Sequence, residues 1–271
     1  MATLKEALKE KLTEKQAKLV PNSFDVVGDI LIFSDFPEEL KKKEKIIGQE
    51  ILNLMKNVKV VCKKTKIHSG TFRTKKVKIM AGERRKTTVH KENNVNVGLN
   101  VETCYFSPRL SNERLRIARL VKKGESVLVM FSGVGIYPLV ISKNTLAKEI
   151  YGIEINPFAH RFAEDNLKLN KINNVKLLLG DVKKVVPKLK KKFDRIVMPL
   201  PKSAEEFLET AFKVAKKGTI IHFYDFVSEE NFDQAVDKIK KHCKKFKIIR
   251  VVKCGQYSPR KYRICVDFEL N

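Results

Sequence analysis

Val127-Leu-Val-Met-Phe-Ser-Gly-Val-Gly135, with Glu154 downstream, is the stretch that decides the fold. Val127 to Phe131 is an apolar run of strand length and predicts a buried strand. Gly133 and Gly135 then let the backbone turn tightly and approach a ligand with no Cβ in the way. A second apolar run, Ile150-Tyr-Gly-Ile153, ends in Glu154. That acid stands about 20 residues after the second glycine, the spacing that suits a hydrogen bond to a ribose hydroxyl. Leu139 sits near the place of a third glycine, and no Walker lysine follows. A nucleoside ligand without a pyrophosphate fits this pattern, and S-adenosylmethionine is the first such ligand to consider.

A third apolar run, Val175-Lys-Leu-Leu-Leu-Gly-Asp181-Val182, ends in Gly-Asp. In an open parallel sheet, ligands lie across the carboxyl ends of the strands. There Asp181 can accept a hydrogen bond from an adenine amino group, and Val182 offers backbone. The bland reading of Asp181 is an N-cap, since Val182 to Lys192 can form a short helical turn.

From Glu125 onward strands and helices alternate: 127–131, 157–170, 175–179, 195–198, 204–216, 219–224 and 229–243. The chain then closes with 248–253 and 263–269, read as an antiparallel hairpin. This alternation predicts an α/β fold, a doubly wound Rossmann-type sheet with helices on both faces. Residues 101–271 would form the S-adenosylmethionine-binding domain, opened by a helix over 111–122 with Ser111 as its cap. Residues 1–100 read differently, as a small basic α+β domain. A hairpin is expected over 24–33 around Gly28-Asp29, and an amphipathic helix over 37–55. Strands are expected over 58–62, 72–80, 87–90 and 95–101. The charged amphipathic start, residues 1–11, reads as a helix and not as a signal peptide.

Charge is the second large signal. Fifty-six Lys and Arg against 31 Asp and Glu give a net charge of +25. Basic runs recur at Arg84-Arg85-Lys86, Lys188–Lys192, Lys216-Lys217 and Lys244-Lys245. A polyanion is the natural partner, with phosphate neutralisation supplying much of the affinity. A thermophile's lysine-rich surface explains many of the lysines but not the imbalance. The five cysteines form no Cys-x-x-Cys and join no histidine cluster, so no metal site is expected. Reduced thiols and the lack of a membrane-length apolar run point to a cytoplasmic protein, expected to be a monomer.

Four segments together resemble a known family: Tyr105-Phe-Ser-Pro-Arg-Leu-Ser-Asn-Glu-Arg114, Met130-Phe-Ser-Gly-Val-Gly135, Glu154-Ile-Asn-Pro157 and Met198-Pro-Leu-Pro-Lys-Ser203. The frame is similar to that of the archaeal enzymes that modify the tRNA nucleoside at position 37. One relative is the tRNA guanine-37 N1 methyltransferase. The other is the wybutosine-pathway aminocarboxypropyltransferase, which also uses S-adenosylmethionine. The resemblance spans residues 70–271 and implies tRNA, at its anticodon region, as partner. It places Tyr105, Ser107 and Arg114 in the cofactor site with Gly133, Glu154, Asp181 and Val182. It makes Arg84, Arg85 and Lys86 part of a basic strand that meets tRNA. Arg109 and Arg114 read either as phosphate or carboxylate binders or as solvated helix charges. The resemblance also implies that the extra N-terminal domain of the archaeal methyltransferase is missing here.

Two departures separate the relatives. The methyltransferase motif has an acid where this chain has Val129, and an Asn where this chain has Pro199. By the resemblance, the lost acid would stand near the methionine end of the cofactor and the lost Asn would contact the target base. Proline has neither the side-chain amide nor a backbone donor. The expectation is therefore transfer of the 3-amino-3-carboxypropyl group to 4-demethylwyosine at position 37 of tRNA(Phe), releasing methylthioadenosine. Methyl transfer to guanine-37 or to the tricyclic base is the alternative, and a non-catalytic RNA-binding module is a third. Glu113 matches a base that deprotonates guanine in the methyltransferase. Its other reading is an ion pair with Arg109 or Arg116, or a bond to neighbouring backbone.

Overall fold

A computed structural model of the chain describes residues 4–65, 70 and 72–271. The first three residues of the expected N-terminal helix lie outside that range. Two compact units are present: Met1–Lys91 with Val97–Pro108, and Glu92–Asn96 with Arg109–Asn271.

The first unit begins with α1 (Leu4–Ala7) and α2 (Glu14–Leu19). The expected hairpin follows as β1 (Phe24–Val27) and β2 (Ile30–Phe33), antiparallel with Val27 opposite Ile30. Gly28 turns it at φ +58, and a Cβ there would meet Thr88 Oγ1 at 2.2 Å, so only glycine fits. The helix expected over 37–55 is divided. A 3₁₀ turn, Glu38–Lys43, precedes α3 (Glu44–Leu54). The division falls at Glu44, whose buried carboxylate is drawn to Lys63 at 2.9 Å and Lys78 at 2.8 Å. β3 (Val60–Lys64) and β4 (Val77–Gly82) complete a sheet of order β1-β2-β3-β4. The strand expected from residue 72 starts only at Val77, because Arg73 is left-handed at φ +51. β5 (Thr87–Glu92) and β6 (Val95–Asn100) form a separate ribbon. Leu40, Ile47 and Ile51 pack on Leu31, Phe33 and Val61 to make this unit's core.

The second unit runs α4 (Ser111–Leu120), β7 (Ser126–Met130), α5 (Ile136–Asn144), β8 (Glu149–Glu154), α6 (Pro157–Leu169), β9 (Val175–Leu179), α7 (Val182–Val185), β10 (Phe193–Met198) and α8 (Leu208–Phe212). β11 (Ala215–Ser228), α9 (Asp233–His242), β12 (Phe246–Ser258) and β13 (Lys261–Leu270) follow. Its seven strands lie in the order β12-β13-β11-β10-β7-β8-β9. β9, β8, β7, β10 and β11 are parallel, and β13 enters antiparallel between β11 and β12. This is the expected doubly wound α/β sheet. Strand order reverses at β7, so the crevice of such a sheet opens between β7 and its neighbour β10. Leu208 and Ile239 of α8 and α9 close over Phe193, Ile196, Ile221, Phe223 and Phe268 of the sheet.

Several boundaries differ from expectation for physical reasons. Leu110 takes the cap position of α4, and Ser111 is already helical. Both its carbonyl and its hydroxyl accept from the Asn93 amide instead. The helix expected over 204–216 is only a 3₁₀ turn, Ala204–Phe207, and α8. Ala215 is already in β11, opposite Phe193. Ser203 precedes that turn but caps it with no side-chain hydrogen bond. β11 runs well past the expected 219–224 because β13 pairs along it from Ile220 to Ser228. Among the described residues no helix is long and apolar enough to cross a membrane.

Candidate active site

The glycine turn leaves β7 through Phe131, which is left-handed at φ +63, and enters α5 through Gly135 at φ +80. A Cβ on Gly135 would stand 3.1 Å from Ala163 Cβ, so α5 and α6 meet closely only because glycine is there. The Gly133 N–H donates to Glu154 Oε2 at 2.7 Å, and the Asn156 N–H donates to Oε1 at 2.8 Å. Asn156 also caps α6 by accepting from the Phe158 N–H, as its Asn-Pro sequence predicts. Burial pushes the Glu154 carboxyl above its ordinary pKa, against the pull of these backbone N–H groups. From the other side, buried Asn166 donates to the Val134 carbonyl at 3.0 Å. Nothing in the sequence pattern marks Asn166. It reads as one more polar residue of an amphipathic helix.

The Gly180 N–H donates to the Glu154 carbonyl at 2.8 Å and ties the end of β9 to the end of β8. Asp181 caps α7 by accepting from the Lys183 N–H at 2.8 Å through Oδ1. Oδ2 is left without a partner among the described residues. Val182 is buried at the head of α7. Gly133, Glu154 and Asp181 thus stand at the carboxyl ends of three adjacent parallel strands, as the sequence led us to expect. Pro199 follows β10 on the other side of β7, in a tight turn closed by the Leu200 N–H to the Met198 carbonyl. Val129 lies between Gly152 and Val197 in register and is fully buried.

Glu113 and Arg114 have partners of their own. Arg114 is 2% exposed and grips Glu92 with Nε at 2.6 Å and Nη2 at 2.5 Å. Its guanidinium fastens the β5–β6 hairpin tip to α4. Glu113 accepts from Arg116 Nε at 2.7 Å and Nη2 at 2.8 Å, and from the Tyr224 hydroxyl at 2.5 Å. Of its two readings, the structure shows the ion pair, and with Arg116. Arg116 reaches on to Asp267 at 2.6 Å, and Asp267 accepts from His222 Nδ1 at 2.6 Å. Arg195 Nη1 lies 2.8 Å from His222 Nε2. Burial lowers the His222 pKa, so the ring is neutral and passes one hydrogen bond along from Arg195 to Asp267. Against burial, His222 and Arg116 hold the Asp267 carboxyl far below the usual carboxylate range. His222, Cys265 and Asp267 lie close enough to ligate a cation. Two guanidiniums already occupy that neighbourhood, so the cluster is a structural network.

Tyr105 and Ser107 belong to the first unit, with Tyr105 38% exposed. Arg109 opens the second unit and is exposed. Within the basic strand the three charges are not alike. Arg84 is exposed, with no ion pair among the described residues. Arg85 reaches Asp29 at 2.9 Å and Glu83 at 2.6 Å, and Lys86 reaches Glu102 at 2.7 Å.

Comparison with known proteins fits this geometry. The TRM5/TYW2 methyltransferase domain matches residues 88–252, and the TYW2 N-terminal domain matches residues 4–86. The chain belongs to the TRM5/TYW2 family. A tRNA (guanine(37)-N(1))-methyltransferase Trm5b of Pyrococcus abyssi is 39% identical over 260 residues, covering 94% of this chain and 76% of its own length. A tRNA(Phe) (4-demethylwyosine(37)-C(7)) aminocarboxypropyltransferase of Methanocaldococcus jannaschii is 30% identical over 253 residues, covering 90% and 96%. Pyrococcus horikoshii TYW2, solved in complex with MeSAdo, superposes with a TM-score of 0.81 at 26% identity, covering 98% of this chain and 97% of its own. The TRM5/TYW2 fold therefore runs through both units of the chain.

Proposed function

We propose that this TRM5/TYW2 protein transfers the 3-amino-3-carboxypropyl group of S-adenosylmethionine to 4-demethylwyosine at position 37 of tRNA(Phe), releasing methylthioadenosine. Its cofactor is S-adenosylmethionine, and the residues suit it. Glu154 presents a half-buried carboxylate with acceptor capacity left over, Asp181 has Oδ2 open, and Gly133 adds no side chain. Glu154 would hold the ribose hydroxyls, Asp181 the adenine amino group, and the Val182 backbone the ring edge. When bound, the cofactor supplies carbon electrophiles already activated by the sulfonium charge. The protein's task is then to aim one of them, and positioning of this kind supplies much of a displacement rate.

The observation that carries the reading is the pair Val129, within β7, and Pro199, just after the end of β10, on the two sides of the switch point. A buried valine removes the acid expected near the methionine arm, and a proline removes the amide expected against the target base. The match of residues 4–86 to the TYW2 N-terminal domain supports it further. Glu113, bound to Arg116 and Tyr224, would position α4 and β11, and Arg114 would set the hairpin tip. Arg84 is an exposed cation offered to the tRNA backbone, with Arg85 and Lys86 held beside carboxylates.

Methyl transfer at the same position is the second reading. The higher identity to a guanine-37 methyltransferase favours it. Incubating the protein with S-adenosylmethionine and tRNA carrying 4-demethylwyosine separates the two. Methylthioadenosine is the product expected here, and release of S-adenosylhomocysteine alone would overturn the proposal.

A further inference from the structure

Strand β11 outruns its parallel neighbour. Met198, the last residue of β10, is level with Phe223, while β11 continues to Ser228 paired with β13. Alternate residues of a strand share a face. On one face of β11 lie His222, Tyr224 and Phe226, the last two in the overhang, opposite Asp267, Cys265 and Arg263 in turn. The first two pairs are sealed in the interior. Cover then ends, with Phe226 and Arg263 half-buried and Tyr257 of β12 standing 62% exposed. The Phe226 and Tyr257 rings are 4.2 Å apart and tilted by 38°, and the Arg263 guanidinium sits 5.3 Å from the Phe226 centroid. Pro259 and Arg260 make the exposed turn between β12 and β13, and exposed Lys261 follows it.

This is a flat aromatic surface, backed by a second ring and bordered by cations, on a protein of net charge +25. An unpaired nucleobase suits such a surface: its π-face stacks on the ring whatever its identity, and the cations meet its phosphates. The position suits it too. Phe226 lies three residues beyond Phe223, about 10 Å past the end of β10 from which Pro199 continues. A base drawn out of its stack for chemistry leaves its neighbours without stacking partners, and an aromatic face can replace the lost contact. We infer that Tyr257, backed by Phe226 and Arg263, stacks on the base next to position 37 of the tRNA. The inference rests on the proposed target at that position.

The test uses tRNA(Phe) with 2-aminopurine at position 36 or position 38, titrated with the full chain. Stacking quenches the fluorescence of one of the two probes. Tyr257→Ala abolishes that quench and raises the KM for tRNA about tenfold or more, the range a lost base–aromatic stack gives. Tyr257→Phe keeps the quench, and binding of S-adenosylmethionine is unchanged in both variants. Both probes staying bright with the parent protein, or a quench that survives Tyr257→Ala, overturns the inference. The small-molecule product is scored separately. A methyl-transferring protein that still quenches the probe would refute the proposed reaction and leave the stacking surface standing.

Discussion

Glu154 carries the most at the scale of a single residue. Its two oxygens receive the Gly133 and Asn156 N–H groups, so the acid proposed to hold the ribose also fixes the glycine turn. Replacing Glu154 by Ala should weaken S-adenosylmethionine binding by about 1.5–3 kcal/mol per lost charged hydrogen bond, read by calorimetry. The same variant tests the pH dependence. Burial raises this carboxyl above 4.5, so the folded protein holds the proton more tightly than the unfolded chain does. Its contribution to stability is then greatest with the proton on, and it falls as pH rises from 4.5 through the raised value. Unfolding midpoints across mildly acid pH should show that fall in the parent and lose it in Glu154→Ala. Glu154 and Asp181 were legible in the sequence because each ends an apolar run. Arg116 was legible as a partner of Glu113, three residues on, but Tyr224 beside Glu113 and Glu92 beside Arg114 were not, because both are remote in the chain and only the fold brings them in.

Legibility divides in the same way among the elements. β7, β8 and β9 stood out because buried parallel strands are short apolar runs. α5 gave no such signal. Ile136 to Ile141 are all buried, so the helix has no polar stripe to set a period of 3.6. α8 and β11 were misplaced because the pairing of Ala215 with Phe193 overrides local helical preference. The entry to α5 depends on Gly135, which is left-handed and close to Ala163. Gly135→Ala should cost roughly 1–3 kcal/mol in denaturant unfolding, since the backbone there disfavours any side chain. An unchanged midpoint would mean that the turn is free to rearrange.

Charge acts at the scale of the whole molecule. A surplus this large works through the sum of phosphate contacts, yet each lysine or arginine counts only if its charge is free. Arg84 is exposed, while Arg85 and Lys86 face carboxylates. Replacing Arg84 by Ala should therefore weaken tRNA binding and lower the log–log salt slope by about one unit, somewhat less on unpaired strands. Replacing Arg85 should change stability more than salt dependence. Equal salt slopes for the parent and Arg84→Ala would move the RNA path elsewhere, for instance to the lysine-lined cavity of about 330 Å³ formed by Lys190, Lys191, Lys192 and Lys213. Composition foretells a basic surface but not which charges are spent internally, since spacing along the chain does not reveal Asp29 beside Arg85. The grip of Arg114 on Glu92 has a last consequence, for dissection of the molecule. The chain passes between the two units three times, and the middle excursion is the hairpin tip that carries Glu92. A fragment starting at residue 101 would leave Glu92 behind and break this buried ion pair. The second unit can be excised intact only by carrying a short length of its neighbour's ribbon along.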